Sequence, residues 1–341
     1  LRPEESKIQD ILHCIMDKKE LSDPTHWQFG TDECYFRTAE EMYALFKDYE
    51  NCLSNTKEIA DKCNVELKFK QKLAPTFPKL PKGETEESYL RKICEAALPE
   101  KYEKDMFNVA KKRMNYELGV IKDMGFSGYF LIVRDFIVFA RNNNIAIGPG
   151  RGSGAGSIVC YLSGITELDP LKLDLLFERF LNPERVSMPD IDTDIADSGR
   201  ERVAQYMIDT YHVENTAKII TFQTMAAKGS IRNVAKVLGK PYSFGDNLAK
   251  MIGKGSIDDA LAVNEEFKNA YNQDAEVKEL VDYAKKIEGL PRQKGSHAAG
   301  LVISNRPLKD ILPVSLEEDG ARTEYDKDEV ERIGLLKMPN K

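Results

Sequence analysis

An α+β fold is what the sequence predicts, with helices dominant and a few short strands placed mainly after residue 144. Three observations point there. Apolar residues recur at helical spacing in Ile8, Ile11, Leu12 and Ile15, and the same spacing continues over 86–98 and 103–124. Strand-like runs are short and separate, at 145–147, 186–195, 218–222, 299–303 and 332–338. A length of 341 residues exceeds one core and predicts two or three domains.

Taken in order, residues 1–60 read as helices, the second running from about Ala39 past Phe46 to about Cys63. Residues 64–88 carry Pro75, Pro78 and Pro81 among lysines and read as an irregular connector. Thr85 and Ser88 have the form of a capping box that opens the 86–98 helix. A turn at 124–129 precedes a helix over 130–142, with Phe126, Tyr129 and Phe130 read as core. The strand at 145–147 enters a glycine-rich loop, 148–157, and a short helix starts near Ser157. Later helices are expected at 200–211, 225–238, 244–252, 257–272 and 275–288.

Composition excludes some classes. No run of 18 apolar residues exists, so no transmembrane helix is expected. Six cysteines are scattered without a C-x-x-C pair, which argues against a zinc site and a disulfide framework and fits a reducing cytoplasm. The start at Leu1, without Met or an apolar leader, is what internal excision from a longer chain predicts. The net charge of −7 hides segregation. From 218 to 254 there are seven basic residues against one acid, and from 256 to 290 nine acids against four lysines. For a polyanionic partner that segregation matters more than the sum.

The sharpest chemical signal is the acidic run at 186–195. On a strand, Asp190, Asp192 and Asp194 all project from one face while Ile191, Thr193 and Ile195 pack on the other. Three like charges on one face call for a cation between them. Carboxylate oxygens suit Mg²⁺, and two such ions would form the arrangement used for in-line phosphoryl transfer. The blander reading is a solvated edge strand whose acids prevent aggregation. A calcium loop is a further alternative, with Glu201 as its last ligand, but Ile195 stands where that loop requires Gly.

The loop at 148–157 has five glycines in ten residues. It leads into a helix N-terminus, where free N–H groups and the helix dipole favour a phosphate. Gly152, Ser153, Gly154 and Ser157 would approach the anion, and Arg151 would neutralise its charge. A tight turn is the plainer reading, but one turn does not need five glycines. The stretch 150–155 also matches the loose G-x-G-x-x-A dinucleotide pattern, which would imply an oxidoreductase. That pattern is weak alone and would need Asp174 as its ribose-binding acid. Lys228, Arg232, Lys236 and Lys240 form one stripe of a helix beside the apolar Ile231, Val234, Ala235 and Leu238, suited to tracking a phosphate backbone. A solvated charged face is the alternative, although such a face usually mixes signs.

The order Gly-Pro-Gly-Arg-Gly-Ser-Gly-Ala-Gly-Ser (148–157), Phe-Glu-Arg-Phe-Leu-Asn-Pro-Glu-Arg (177–185) and Pro-Asp-Ile-Asp-Thr-Asp (189–194) closely resembles the bacterial C-family replicative DNA polymerases of the DNA polymerase III alpha type, in their DnaE branch. The stretches 221–228, 294–298 and 334–337 resemble it as well, so the likeness covers essentially the whole chain. It implies a polymerase-beta-like nucleotidyltransferase palm at 60–221 and 299–341, a helical thumb inserted at 222–298, and a C-terminal remnant of a PHP domain at 1–59. It also implies dNTP as substrate, two Mg²⁺ ions on Asp190 and Asp192, with Asp194 a weaker ligand, and primer-template DNA on the thumb. Arg179, Arg185 and Lys337 would meet the triphosphate or template, although for the two arginines an ion pair with Glu178 or Glu184 is the plainer reading. His297 stays open between DNA, the active site and a structural role. A sliding clamp, a clamp loader and other replisome subunits would be the partners of the intact protein, with no membrane involved. After Met338 the family continues with Asp-Phe-Leu-Gly, whose Asp is its third catalytic carboxylate. Here Pro339, Asn340 and Lys341 follow, so the isolated chain is expected to be inactive and to serve at most as a DNA-binding or assembly piece.

Overall fold

Helix starts are set by side chains that satisfy free backbone N–H groups. In the computed structural model, which describes residues 2, 5–69, 71, 73–182, 189–318 and 320–339, the Thr85–Ser88 capping box is present and opens Glu86–Lys101. Similar boxes at Thr38 and Ser256 open Ala39–Leu45 and Ile257–Val263. The same chemistry breaks the helix expected over 257–272. Asn264 is extended, accepts from Phe267 N at 3.1 Å and donates to Met251 O at 2.9 Å, so a new helix, Glu265–Gln273, begins there.

The chain forms two units, Leu1–Glu66 with Phe222–Lys294 and Leu67–Thr221 with Gly295–Lys341. The first is helical. Ile11 and Cys14 of Ser6–Asp17 share one core with Ile231, Val234 and Ala235 of Ala227–Val237 and with Leu280, Val281 and Ala284 of Ala275–Ile287. Residues expected in two domains, 1–59 and 222–298, therefore contribute to a common core. The expected single helix over 39–63 is two, Ala39–Leu45 and Glu50–Lys62, and among their described residues neither has a fully buried one.

The second unit places helices against a five-stranded sheet. Its strands are β1 (Thr216–Thr224), β2 (Pro291–Ile303), β3 (Val314–Glu317), β4 (Gly320–Thr323) and β5 (Leu336–Pro339), in the order β3-β4-β1-β2-β5. β1 and β4 run parallel, while β2–β5 and β3–β4 are antiparallel. Side-chain alternation divides the sheet between two cores. Leu301, Ile303, Leu336 and Met338 join Phe130, Ile191, Ile195 and Met207 in the larger one. Ala217, Ile219, Val302 and Leu335 join Leu308, Leu312, Val330 and Ile333 in the smaller.

The sequence reading missed the β3–β4 hairpin, whose strands are too short to show a period. It also made 332–338 one strand, but Lys327–Ile333 is helical and only β5 is extended. Gly334 divides them at φ 101°, with Gln71 O 2.0 Å from where a Cβ would lie, so no other residue fits. Strands expected at 145–147 and 186–195 shrink to a single bridge, Ile147 to Ile195, among the described residues. Residues 183–188, including Arg185, lie outside them. Pro189 has no N–H to give to a ladder. No helix among the described residues is long and apolar enough to cross a membrane.

Candidate active site

The glycine loop and the acidic segment are docked backbone to backbone in the second unit. Gly148 N donates to Asp194 O at 2.9 Å, and Ala196 N donates to Ala146 O at 3.0 Å, flanking the Ile147–Ile195 bridge. The loop itself has two halves. Arg151, Gly152 and Ser153 are exposed, whereas Gly154, Ala155, Gly156 and Ser157 are buried.

Glu117 explains the buried half. Its side chain is 0 % exposed. It accepts from Ser157 Oγ at 2.7 Å, Val159 N at 3.2 Å and Arg113 Nε at 2.7 Å. Arg113 Nη2 also donates to Gly156 O and Leu175 O, each at 3.2 Å. The N-terminus of Ile158–Leu162 thus already holds a carboxylate, donated by the protein. Ser157 and Gly154, expected at a triphosphate, lie in the interior, and Ser157 donates its hydrogen bond to Glu117. Burial raises the Glu117 pKa, although Ser157 and Arg113 pull it back. The sequence carried a signal for this residue. Glu117 falls on the apolar stripe of Ala110, Met114, Leu118 and Ile121, where an unpaired acid would not be tolerated.

The acidic segment keeps the alternation of a strand without its ladder. Ile191, Thr193 and Ile195 are 1, 3 and 5 % exposed, while Asp190 and Asp194 are exposed and Asp192 is half-buried. In place of a neighbouring strand, Tyr129 Oη accepts from Ile191 N at 3.3 Å. Arg151 bridges two of the acids, with Nη2 at 3.2 Å from Asp192 Oδ2 and Nη1 at 3.5 Å from Asp194 Oδ1. Among the described residues no three His, Cys, Asp or Glu side chains converge as a metal site. Asp194 is turned toward Arg151. Glu331 is raised in pKa by burial and by the Asp190 charge, against Lys327 and Lys337, so Asp190 and Lys337 both lie within electrostatic reach of it. Lys337 is half-buried on β5, opposite Val302. Arg179 is exposed at the end of the turn Phe177–Arg179, and Glu178 accepts the Tyr116 hydroxyl at 3.2 Å.

Lys228, Arg232 and Lys236 share the helix Ala227–Val237 in the first unit, but that helix ends before Gly239 at φ 69°, so Lys240 is not on the helical stripe expected of it. Lys228 and Lys236 are exposed. Arg232 pairs with Asp246 at 2.9 Å and Lys240 with Glu276 at 2.6 Å, because neighbouring helices bring acids that a single-helix view leaves out. The side chain of His297 lies outside the described residues.

Comparison with known proteins agrees with this combination of motifs. Residues 88–339 match the bacterial DNA polymerase III alpha NTPase domain. The DNA polymerase III subunit alpha of Pseudomonas aeruginosa is 43% identical over 99% of this chain, which covers 30% of that protein. That of Escherichia coli strain K12 is 43% identical over 96% of the chain and 29% of the protein. That of Thermus aquaticus is 38% identical over 99% of the chain and 33% of the protein. The chain therefore spans about a third of the length of these relatives. With its glycine loop docked on an acidic segment inside the matched region, this chain belongs to the bacterial DNA polymerase III alpha NTPase domain family.

Proposed function

We propose that the chain supplies the nucleotide and metal site of a template-directed DNA polymerase, joining a dNTP to a primer 3′-hydroxyl in chromosome replication in the cytoplasm. One observation carries the reading: the exposed turn at Arg151, Gly152 and Ser153 lies against Asp192 and Asp194. A triphosphate held by that turn would have its charged oxygens beside the carboxylates.

The residues present fit a divalent cation. Their donors are carboxylate oxygens, the type Mg²⁺ prefers, and a guanidinium cation already rests on Asp192 and Asp194. Asp190 and Asp192 would hold two Mg²⁺ ions, which when bound stabilise charge on the attacking and leaving oxygens. Arg151, Gly152 and Ser153 bind and orient the triphosphate. Arg179, Arg185 and Lys337 would add positive charge around it, and Ser157 supports the turn from within through Glu117. In the first unit, Lys228, Arg232, Lys236 and Lys240 would track the phosphates of primer-template DNA without reading its bases. The thumb, palm and PHP assignments belong to the same proposal, as do sliding-clamp and clamp-loader partners.

The test is primer extension by the full-length polypeptide carrying Asp192→Asn, alongside a DNA-binding assay. Nucleotide addition is expected to vanish while DNA affinity holds. Extension at the wild-type rate would sink the assignment.

A further inference from the structure

The acidic segment has few backbone anchors. Among the described residues from 189 to 195, the only bridge to another segment is at Ile195, the far end from Asp190. Yet the directions of Asp190 and Asp192 are fixed by the peptide between them, and the residue at its centre is Ile191. The Ile191 N–H donates to Tyr129 Oη at 3.3 Å, across 62 residues of sequence, and both residues are 1 % exposed. Tyr129 comes from Ser127–Asn142, a helix that carries ten buried residues. Its ring meets Phe130 edge-on at 6.4 Å between centroids. A hydroxyl in such a place is costly unless partnered. Its partner here is the amide midway between the two carboxylates.

We infer that Tyr129 is a positioning residue for the metal site, its phenol oxygen holding the Ile191 amide and thereby setting the relative directions of Asp190 and Asp192. This rests on the reading of those two residues as cation ligands. The sequence reading placed Tyr129 in the core, and its ring is there. A packing role needs only the ring, whereas the oxygen aims at one specific amide. Burial foremost, and then the charges of Asp190 and Asp192, push the phenol pKa upward. The hydroxyl therefore stays neutral and adds no negative charge to an acidic place.

Tyr129→Phe retains the ring and removes the oxygen. Mn²⁺ binding, followed by the loss of free-ion signal in electron paramagnetic resonance, reads the metal site without turnover. Loss of a group that orients a metal ligand typically weakens the metal by about tenfold or more, and that is the expected result, with a cooperative melt whose midpoint falls only modestly because the buried Ile191 amide loses its acceptor. Faster deuterium uptake at the Ile191 amide should accompany it. If Tyr129→Phe binds Mn²⁺ as the wild type does while Asp192→Asn does not, the role of Tyr129 is wrong and the metal reading survives. If Asp192→Asn also binds normally, or the wild type takes up no Mn²⁺, the metal reading fails and this inference with it. A wild-type measurement covers a variant that does not fold. The Ile191 amide should be protected from exchange, and exchange at the rate of an open loop overturns the proposal.

Discussion

Arg151 and Asp192 are joined by an ion pair of 3.2 Å across 41 residues of sequence, from the exposed half of the glycine loop to the acidic segment. The same guanidinium lies 3.5 Å from Asp194. Arg151 thus neutralises carboxylates assigned to a metal while standing where a triphosphate would need it. Partly exposed pairs of this kind are worth about 0–1 kcal/mol, so the contact is easily exchanged for another.

That exchange predicts effects of opposite sign. Arg151→Gln should strengthen Mn²⁺ binding without nucleotide, because a competing cation is gone. It should weaken dNTP binding by roughly tenfold, about 1.4 kcal/mol, because a charge-assisted contact to phosphate is lost. Titration calorimetry with each ligand separates the two. If both affinities move the same way, Arg151 does not alternate between the two partners.

Glu117 predicts the opposite kind of behaviour, structural and insensitive to ligand. Removing one partner of a buried charged pair costs about 3–5 kcal/mol. Glu117→Ala leaves Arg113 Nε, Ser157 Oγ and Val159 N without their acceptor. Urea unfolding should show that loss, whereas Ser157→Ala should cost only about 1 kcal/mol. A Ser157→Ala variant that keeps its stability but loses dNTP binding would return Ser157 to the substrate.

These two residues mark how far the sequence could be read. The acidic alternation was legible because a period of two survives even without a ladder, with Ile191, Thr193 and Ile195 buried, Asp190 and Asp194 exposed and Asp192 half-buried. What replaced the ladder was not legible, since Tyr129 is 62 residues from its partner Ile191. Likewise the glycine loop looked like one phosphate cradle, and only the fold shows Glu117 filling its inner half. The helices were legible through their apolar spacing, and Glu86–Lys101 also through its cap. Asn264 escaped because its role depends on the carbonyl of Met251, supplied by a different helix. The acids that pair with Arg232 and Lys240 were hidden for the same reason, since Asp246 and Glu276 come from separate helices.

The cysteines separate into two reactivity classes. Cys34, Cys52 and Cys63 are exposed, while Cys14, Cys94 and Cys160 are buried. Burial pushes the Cys94 thiol up to about 12 and raises Cys160 as well, so neither forms thiolate near neutral pH. Brief iodoacetamide treatment of the native protein followed by mass spectrometry should modify the first three only. The others should react after urea is added. Labelling of Cys160 without denaturant would show that the core under the glycine loop opens.

Asp246 provides the most specific test of the basic stripe. It holds Arg232 at 2.9 Å and Lys250 at 2.8 Å, and these contacts, Lys250 first, hold its carboxyl below the ordinary value. A carboxyl lowered on folding stabilises above its unfolded pKa and loses that contribution as pH falls through the folded value. Asp246→Asn should therefore flatten the acid limb of the stability curve below about pH 4. It should also release two cations toward a polyanion. DNA affinity, measured by fluorescence anisotropy at several salt concentrations, is expected to rise. Lys228→Ala and Lys236→Ala should each lower affinity alike on all sequences and reduce the slope of log K against log salt by about 1. Arg232→Ala should do less, because its charge is already shared with Asp246. If Lys228 and Lys236 leave the slope unchanged while Arg232 and Lys240 lower it, the cations that face DNA are the paired ones and Asp246 helps to aim them.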